Sequence, residues 1–224
     1  MTFSLAARDP ATGAFGMVIS SSSPAVASRC VNLRASVGVA ASQNVTNPAL
    51  GPFMLDKLAA GASADGAIAA AVALDEYSDF RQLTIVDAEG RVGTHTGSRA
   101  LGIFGVSVGD QAVAAGNMLF GLNVLDAMVS GYAESAAETF EERLLAGFLS
   151  AVEAGGEAGP VRSAGLSVVE DVTWRVTDLR VDDSDDPAAE LARLLSLWLP
   201  QKKDYLGRAL RPGGAPSYGV PGDV

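Results

Sequence analysis

The chain has one cysteine, Cys30, and one histidine, His95, among 224 residues. A lone cysteine rules out an intrachain disulfide and a cysteine-ligated zinc site. A lone histidine rules out multi-histidine metal centres and leaves any Ser-His-Asp triad only one possible base. Lys and Arg number 16 against 26 Asp and Glu, a formal net charge of −10. Nucleic acid and anionic membranes both need clustered positive charge, so neither is an expected partner. No apolar run reaches the roughly 18–20 residues of a membrane span. The N-terminal stretch shows no charged region leading into an apolar signal core, so the expected compartment is the cytoplasm. Hydrophobic residues, in contrast, make up 48% of the chain and charged residues 19%. That balance suits a well-packed globule, and at 22.8 kDa a single domain is expected.

The opening stretch, Met1 to Ser23, has a chemistry of its own. If Met1 is removed, the hydroxyl of Thr2 sits beside a free α-amine, a nucleophile and base in one residue that needs no histidine. Phe3–Ala7 and Ala14–Ile19 are apolar segments joined by a turn-rich bridge over Arg8–Gly13. They read as a hairpin, which would pin a terminal residue that otherwise frays.

Ala35–Ser42 is small and apolar and suits a closely packed buried strand. It runs into Gln43, Asn44 and Asn47-Pro48, amides that orient a substrate carbonyl or cap a turn. Helical spacing over Leu50–Gly61 and Ala64–Leu74, with Ser63 as N-cap, predicts two helices. Gln82–Val86 and Arg91–Thr96 form a second hairpin pattern around Asp87–Gly90. His95 ends it, either as a partly buried structural residue or as a base with a tunable pKa. Gly102–Gly109 reads as a loop or edge strand, and Gln111–Gly116 as a strand ending in Asn117. Helices are predicted from Val124 to Ala133, with Asn123 as N-cap, and from Phe140 to Ala154, stopped by Gly155-Gly156. Arg162–Val169 and Thr173–Val181 are the last strand candidates. The acidic run after them, Asp182, Asp183, Asp185 and Asp186, misses the spacing and closing Glu of a calcium loop, so no metal is expected there. Asp186 as N-cap with Pro187 at the first helical position explains part of it. The last helix is expected to stop at Pro200. Residues 201–224 then form a Pro/Gly-rich tail, an extended arm over the domain 1–200 or over a neighbouring subunit. Strands in groups separated by helix pairs predict an α+β fold of two antiparallel sheets between helical layers.

Several blocks in order over most of the chain carry a family likeness: TFSLAARDPATGAFG, SSSPAVASRC, SQNVTNPALG, DFRQLTIVDAEGRV, AAGNML, GGEAGPVRSAGL, DLRVD and APSYGVPGD. In these the chain resembles the DUF1028 family, which is placed in the N-terminal-nucleophile hydrolase superfamily. The resemblance implies a four-layer αββα sandwich and hydrolysis of small amides or acylated amino acids. It implies Thr2 as the nucleophile, its own amine as the base, and no cofactor. It also points to Ser21, Gln43, Asn44, Arg81, Asn117, Arg162 and Asp182 as polar residues of the cleft. In this picture Asn117 is an oxyanion donor and Arg162 a bidentate partner for a substrate carboxylate. Two departures bear on substrate choice. Many relatives carry Arg where this chain has Ser22, and some carry His where it has Arg162. The alternatives are a non-catalytic small-molecule-binding or scaffold protein on the same fold, and an enzyme built on His95. A homo-oligomer is expected, with the tail around Tyr205, Leu206 and Tyr218 as one means of assembly.

Overall fold

The computed structural model describes residues 2–220. Met1, whose removal the Thr2 chemistry requires, lies outside the described residues, as do residues 221–224 at the end of the tail.

The chain opens with β1 (Thr2–Arg8) and β2 (Phe15–Ser21), a short α1 (Ala27–Cys30), then β3 (Val31–Arg34) and β4 (Gly38–Asn44). After α2 (Leu50–Ala59) and α3 (Ala64–Leu74) come β5 (Arg81–Asp87), β6 (Val92–Thr96), β7 (Gly105–Gly109) and β8 (Ala112–Asn117). Next are α4 (Asn123–Ala133), α5 (Phe140–Glu153), β9 (Ser163–Val169), β10 (Arg175–Val181) and α6 (Pro187–Leu210). One sheet has the order β10-β9-β2-β1-β8-β7 and the other β3-β4-β5-β6, with antiparallel pairing throughout.

Side chains alternate across each strand, and the alternation builds three cores from two sheets. Phe3, Leu5 and Val18 pack outward on Leu144 and Phe148 of α5 and Leu191 of α6. Phe15, Met17 and Ile19 point the other way and meet Val39, Ala41 and Val86 of the second sheet. Ala40, Leu83 and Ile85, on that sheet's far face, meet Met54 of α2 and Ile68 of α3. Helix layer, sheet, sheet, helix layer is the expected αββα sandwich. Each large side chain so buried contributes about 1.5–3 kcal/mol, which is why the strands of the six-stranded sheet read as nearly continuous apolar runs.

Local signals set the helix starts. Ser63 accepts from Gly66 N at 3.1 Å, the predicted cap of α3. Thr139 and Glu142 form a reciprocal capping box at the head of α5. Asp186 caps α6 through Ala189 N at 3.0 Å, with Pro187 at the first turn.

Of the two readings of the Gly-rich stretch, Gly105–Gly109 takes the edge strand, β7. Three expectations need correction. α1 and β3 form where a polar loop leading into the next strand is expected. Asn123 does not cap α4; it lies inside the helix, and its Nδ2 donates to the Ala154 carbonyl at 3.2 Å. Pro200 does not end the last helix, which continues to Leu210. An interior proline forfeits one backbone hydrogen bond and costs about 3 kcal/mol. Contacts beyond it offset that cost. Lys202 donates to Glu141 at 2.7 Å and to Glu170, and Tyr205 lies 5.4 Å from Trp198, ring to ring. Residues 201–210 are therefore helix docked on the domain, not extended arm.

Candidate active site

The strand registers bring the ends of many strands to one end of the sandwich. Thr2 stands opposite Asn117, and Ser21 opposite Ser163; Phe3 faces Ser20, so Ser21 is at the same end as Thr2. Asn44 pairs with Arg81 and Gln43 with Gln82 at the matching end of the second sheet. Hydrogen bonds tie the two ends together, from Ser4 Oγ to Gln43 Oε1 at 2.8 Å and from Gln82 Nε2 to the Gly116 carbonyl at 3.0 Å.

Parity then decides which side chains share the space between the sheets. Ala6 lies in the inter-sheet core and Phe3 and Leu5 do not, so Ser4 and Thr2 belong to the inter-sheet face. The same count from Ile19 puts Ser21 there, from Ala41 puts Gln43 there, and from Val86 puts Gln82 there. The result is a polar ring closing one end of an apolar core: Thr2 is 5% exposed, and Ser21, Gln43, Gln82, Asn117 and Ser163 are wholly buried. Gln82 and Ser163 were not among the residues singled out from sequence. The alternation Val86-Thr84-Gln82 is the signal that finds Gln82.

Buried amides must be satisfied, and here two main-chain carbonyls fix every orientation. The Gly105 and Gly116 carbonyls can only accept, so Gln82 presents Nε2 to them, at 3.1 and 3.0 Å. Gln82 Oε1 is then the acceptor for Gln43 Nε2 at 2.9 Å and for Asn117 Nδ2 at 3.2 Å. Gln43 Oε1 accepts the Ser4 hydroxyl. What remains is Asn117 Oδ1, a fully buried acceptor without a partner among the described residues, on the residue opposite Thr2.

A carboxylate completes this end. Glu157, in the Gly-rich turn after α5, is 5% exposed and accepts the Ser22 N–H at 3.2 and 3.1 Å. Burial pushes its pKa up to about 7, with the positive charge of the chain's N-terminus and the Ser22 hydrogen bonds pulling it back in part. It was also absent from the residues singled out. An acidic residue inside the otherwise small and apolar block GGEAGP is the sequence signal.

The remaining expected site residues have other attachments. Asn44, one position out of parity with Gln43, takes a left-handed backbone with φ of 71°. Its side chain joins the Phe80 carbonyl at 2.7 Å to the Leu101 N–H at 3.3 Å. Arg81 is out of parity with Gln82 and forms a buried ion pair with Asp75 at 2.7 Å, while its Nη1 donates to the Val45 carbonyl. Arg162 meets Asp183 through Nε and Nη2, both at 2.9 Å, and also bonds Asp185; its main-chain N–H donates to the Ser21 carbonyl. Asp182 pairs with Arg180, and its carbonyl accepts from Ala25 N. The acidic run is thus bound up with arginines. His95 is half-buried, with Nε2 3.0 Å from the Ser78 carbonyl. A separate concavity of about 420 Å³ lies beneath α6, lined by Phe140, Leu199 and Leu206. Of its two lysines, Lys202 and Lys203, the first is already paired with Glu141 and Glu170.

No helix among the described residues is long and apolar enough to cross a membrane. Among curated proteins, nothing matches the chain. Among solved structures, it is similar to protein SPO2555 from Silicibacter pomeroyi, a DUF1028 protein. That likeness has 31% sequence identity and a TM-score of 0.81 over 88% of each chain. The Anbu proteins are far looser likenesses. That of Yersinia bercovieri has 10% identity and a TM-score of 0.40 over 88% of this chain and 97% of its own. That of a Hyphomicrobium strain has 13% and 0.40 over 92% and 98%. Residues 2–191 match a family described as a family of unknown function, DUF1028, and with that match and the SPO2555 likeness the chain belongs to DUF1028.

Proposed function

We propose that the protein is an amidohydrolase of small amides or acylated amino acids, with Thr2 as an N-terminal nucleophile. The observation that carries this reading is the place of Thr2: it opens β1 on the inter-sheet face, opposite Asn117, inside a ring of oriented amides and hydroxyls. A terminal residue held between two neighbouring strands has the positional restraint that nucleophilic attack needs.

After loss of Met1 the α-amine takes the proton of Thr2 Oγ1 as the oxygen attacks the substrate carbonyl carbon. The amine then gives that proton to the leaving nitrogen as the C–N bond breaks. Water hydrolyses the resulting ester by the reverse proton path and restores the threonine. Asn117 Oδ1, the unpartnered acceptor, suits an N–H of the amine. The second hydrogen on Asn117 Nδ2 is the donor for the developing oxyanion. Ser21 and Gln43 belong to the same cleft. Arg162, held by Asp183, and Asp182, held by Arg180, would act from its edge if a substrate displaces those pairings; Asn44 and Arg81 would act by holding the loops around it. Leu101, Ile103 and Phe120, all exposed on the segments bonded to Asn44 and following Asn117, favour an apolar acyl group or the surface of a second subunit.

Intact mass of the purified protein gives the test. The protein is expected to start at Thr2, and Thr2→Ala is expected to lose hydrolysis across a panel of N-acyl amino acids while unfolding at the wild-type temperature. Full activity in a protein that keeps Met1 would sink the reading. Ligand-induced thermal stabilisation without turnover would favour a non-catalytic binder.

A further inference from the structure

The strands on either side of β1 end level with its first residue, and the chain runs on beyond them, into Ser22 after β2 and into Met118 and Leu119 after β8. The segment around Glu157 joins these two extensions. The Glu157 carboxylate accepts from Ser22 N, and its backbone forms an antiparallel bridge with Leu119. On either side, Phe120 N donates to the Gly156 carbonyl at 3.0 Å and Ala158 N to the Met118 carbonyl at 2.9 Å. Glu157 therefore lies across the head of β1.

An ionised carboxylate has about four acceptor sites, and among the described residues the donors to Glu157 come from Ser22 alone. Among the described residues no Lys or Arg forms an ion pair with it, although it is 5% exposed. A buried carboxylate without a counter-charge costs several kcal/mol; burial shifts this one towards its neutral form, and the positive charge of the chain's N-terminus opposes that shift. The groups around it are Ser22 from the β2 side, Leu119 from the β8 side and Phe3 of β1, which lies against Gly156. None of them carries charge. Along the chain the nearest charged residues are Glu153, which is exposed, and Arg162, which is engaged by Asp183 and Asp185. The cation that fits this place is the one β1 itself supplies, the α-ammonium of Thr2 once Met1 is gone.

We propose that Glu157 is the counter-charge of the Thr2 ammonium, a positioning residue that holds the terminal amine at the head of β1 and sets the pH at which it becomes a base. This rests on Thr2 being the mature N-terminus and nucleophile. A free α-amine titrates near 7.7–8.0, and an opposite charge within a few ångströms favours its protonated form. Glu157 thus raises the pH at which the amine loses its proton, and activity climbs as the pH passes through that titration.

The test is competitive acylation of the N-terminal amine with acetic anhydride over a pH series, read by mass spectrometry of the N-terminal peptide. It is run on wild type, Glu157→Gln and Glu157→Asp after intact mass has shown where each begins. The amine of Glu157→Gln is expected to titrate at least about one pH unit below wild type, with the acid limb of kcat/KM moving alike. Glu157→Asp is expected to keep most of the wild-type midpoint. Equal midpoints in wild type and Glu157→Gln overturn the proposal. If Glu157→Gln does not fold, a wild-type midpoint at or below the ordinary α-amine value overturns it without any variant. An unshifted amine with an inactive Thr2→Ala removes only the role of Glu157. A retained Met1 removes the nucleophile and this role together.

Discussion

The carboxamide of Gln82, on the four-stranded sheet, accepts a hydrogen bond from Asn117 Nδ2, on the six-stranded sheet, at 3.2 Å. Because the same oxygen accepts from Gln43, and its partner nitrogen is committed to the Gly105 and Gly116 carbonyls, Gln82 is the hinge pin of the buried network. Gln82→Leu leaves two amide donors and two carbonyls without their partner. Each buried group so orphaned costs about 1–3 kcal/mol, and local relaxation recovers some of that. The expected net loss is about 2–4 kcal/mol, measured as a shift of the urea midpoint at unchanged m-value.

Asp75 and Arg81 form the most enclosed ion pair at this end of the molecule, with side chains 7% and 11% exposed. Removing one member leaves the other charge buried, so Asp75→Asn is expected to cost about 3–5 kcal/mol. The hydrogen bond from Arg81 holds the Asp75 carboxyl below the usual carboxylate value. A carboxylate with a depressed folded pKa contributes stability above its unfolded pKa, about 3.9, and loses it as the pH falls through the folded pKa. The gap between wild type and Asp75→Asn is therefore widest at neutral pH and narrows in acid. Denaturant titrations at several pH values check this.

Two glycines are expected to respond to alanine in opposite directions. A Cβ on Gly97 would lie 2.2 Å from the Asp79 carbonyl oxygen, a main-chain atom that also accepts from Arg99 N. Gly97→Ala must move one backbone against another and is expected to destabilise by about 1–3 kcal/mol. Gly207 lies within α6 with open space where its Cβ would be. Gly207→Ala is expected to stabilise by about 0.5–1 kcal/mol through helix propensity alone. Paired thermal melts settle both signs.

Pro200 interrupts α6 without ending it. Pro200→Ala restores a helical N–H donor and removes the ring clash, against a gain in unfolded-chain freedom of about 1 kcal/mol. A net stabilisation of about 1–2 kcal/mol is expected, with increased helical circular dichroism. A fall in stability would overturn this expectation.

The layer order was legible in the sequence because it rests on local signals. Alternation over Phe3–Ala7, helical spacing over Leu50–Leu74 and the caps at Ser63 and Asp186 each act within a few residues. Thr2 was legible as a candidate for the same reason, since nucleophile and base belong to one residue. The passage of α6 through Pro200 was not, because residues distant in the chain, Glu141 and Glu170, hold its far half. The composition of the site divides in the same way. Sequence chemistry proposes Gln43 and Asn44 alike, and the family resemblance points to Arg81 and not to Gln82. The tertiary structure separated them, because a one-residue step along a strand reverses the face. Gln43 and Gln82 point between the sheets, while Asn44 and Arg81 serve the loops around their ends. Glu157 is the clearest case. Its identity as a carboxylate is in the sequence, but its position across the head of β1 arises only when β2, β8 and the turn after α5 meet, Ser22 lying 135 residues from Glu157 along the chain.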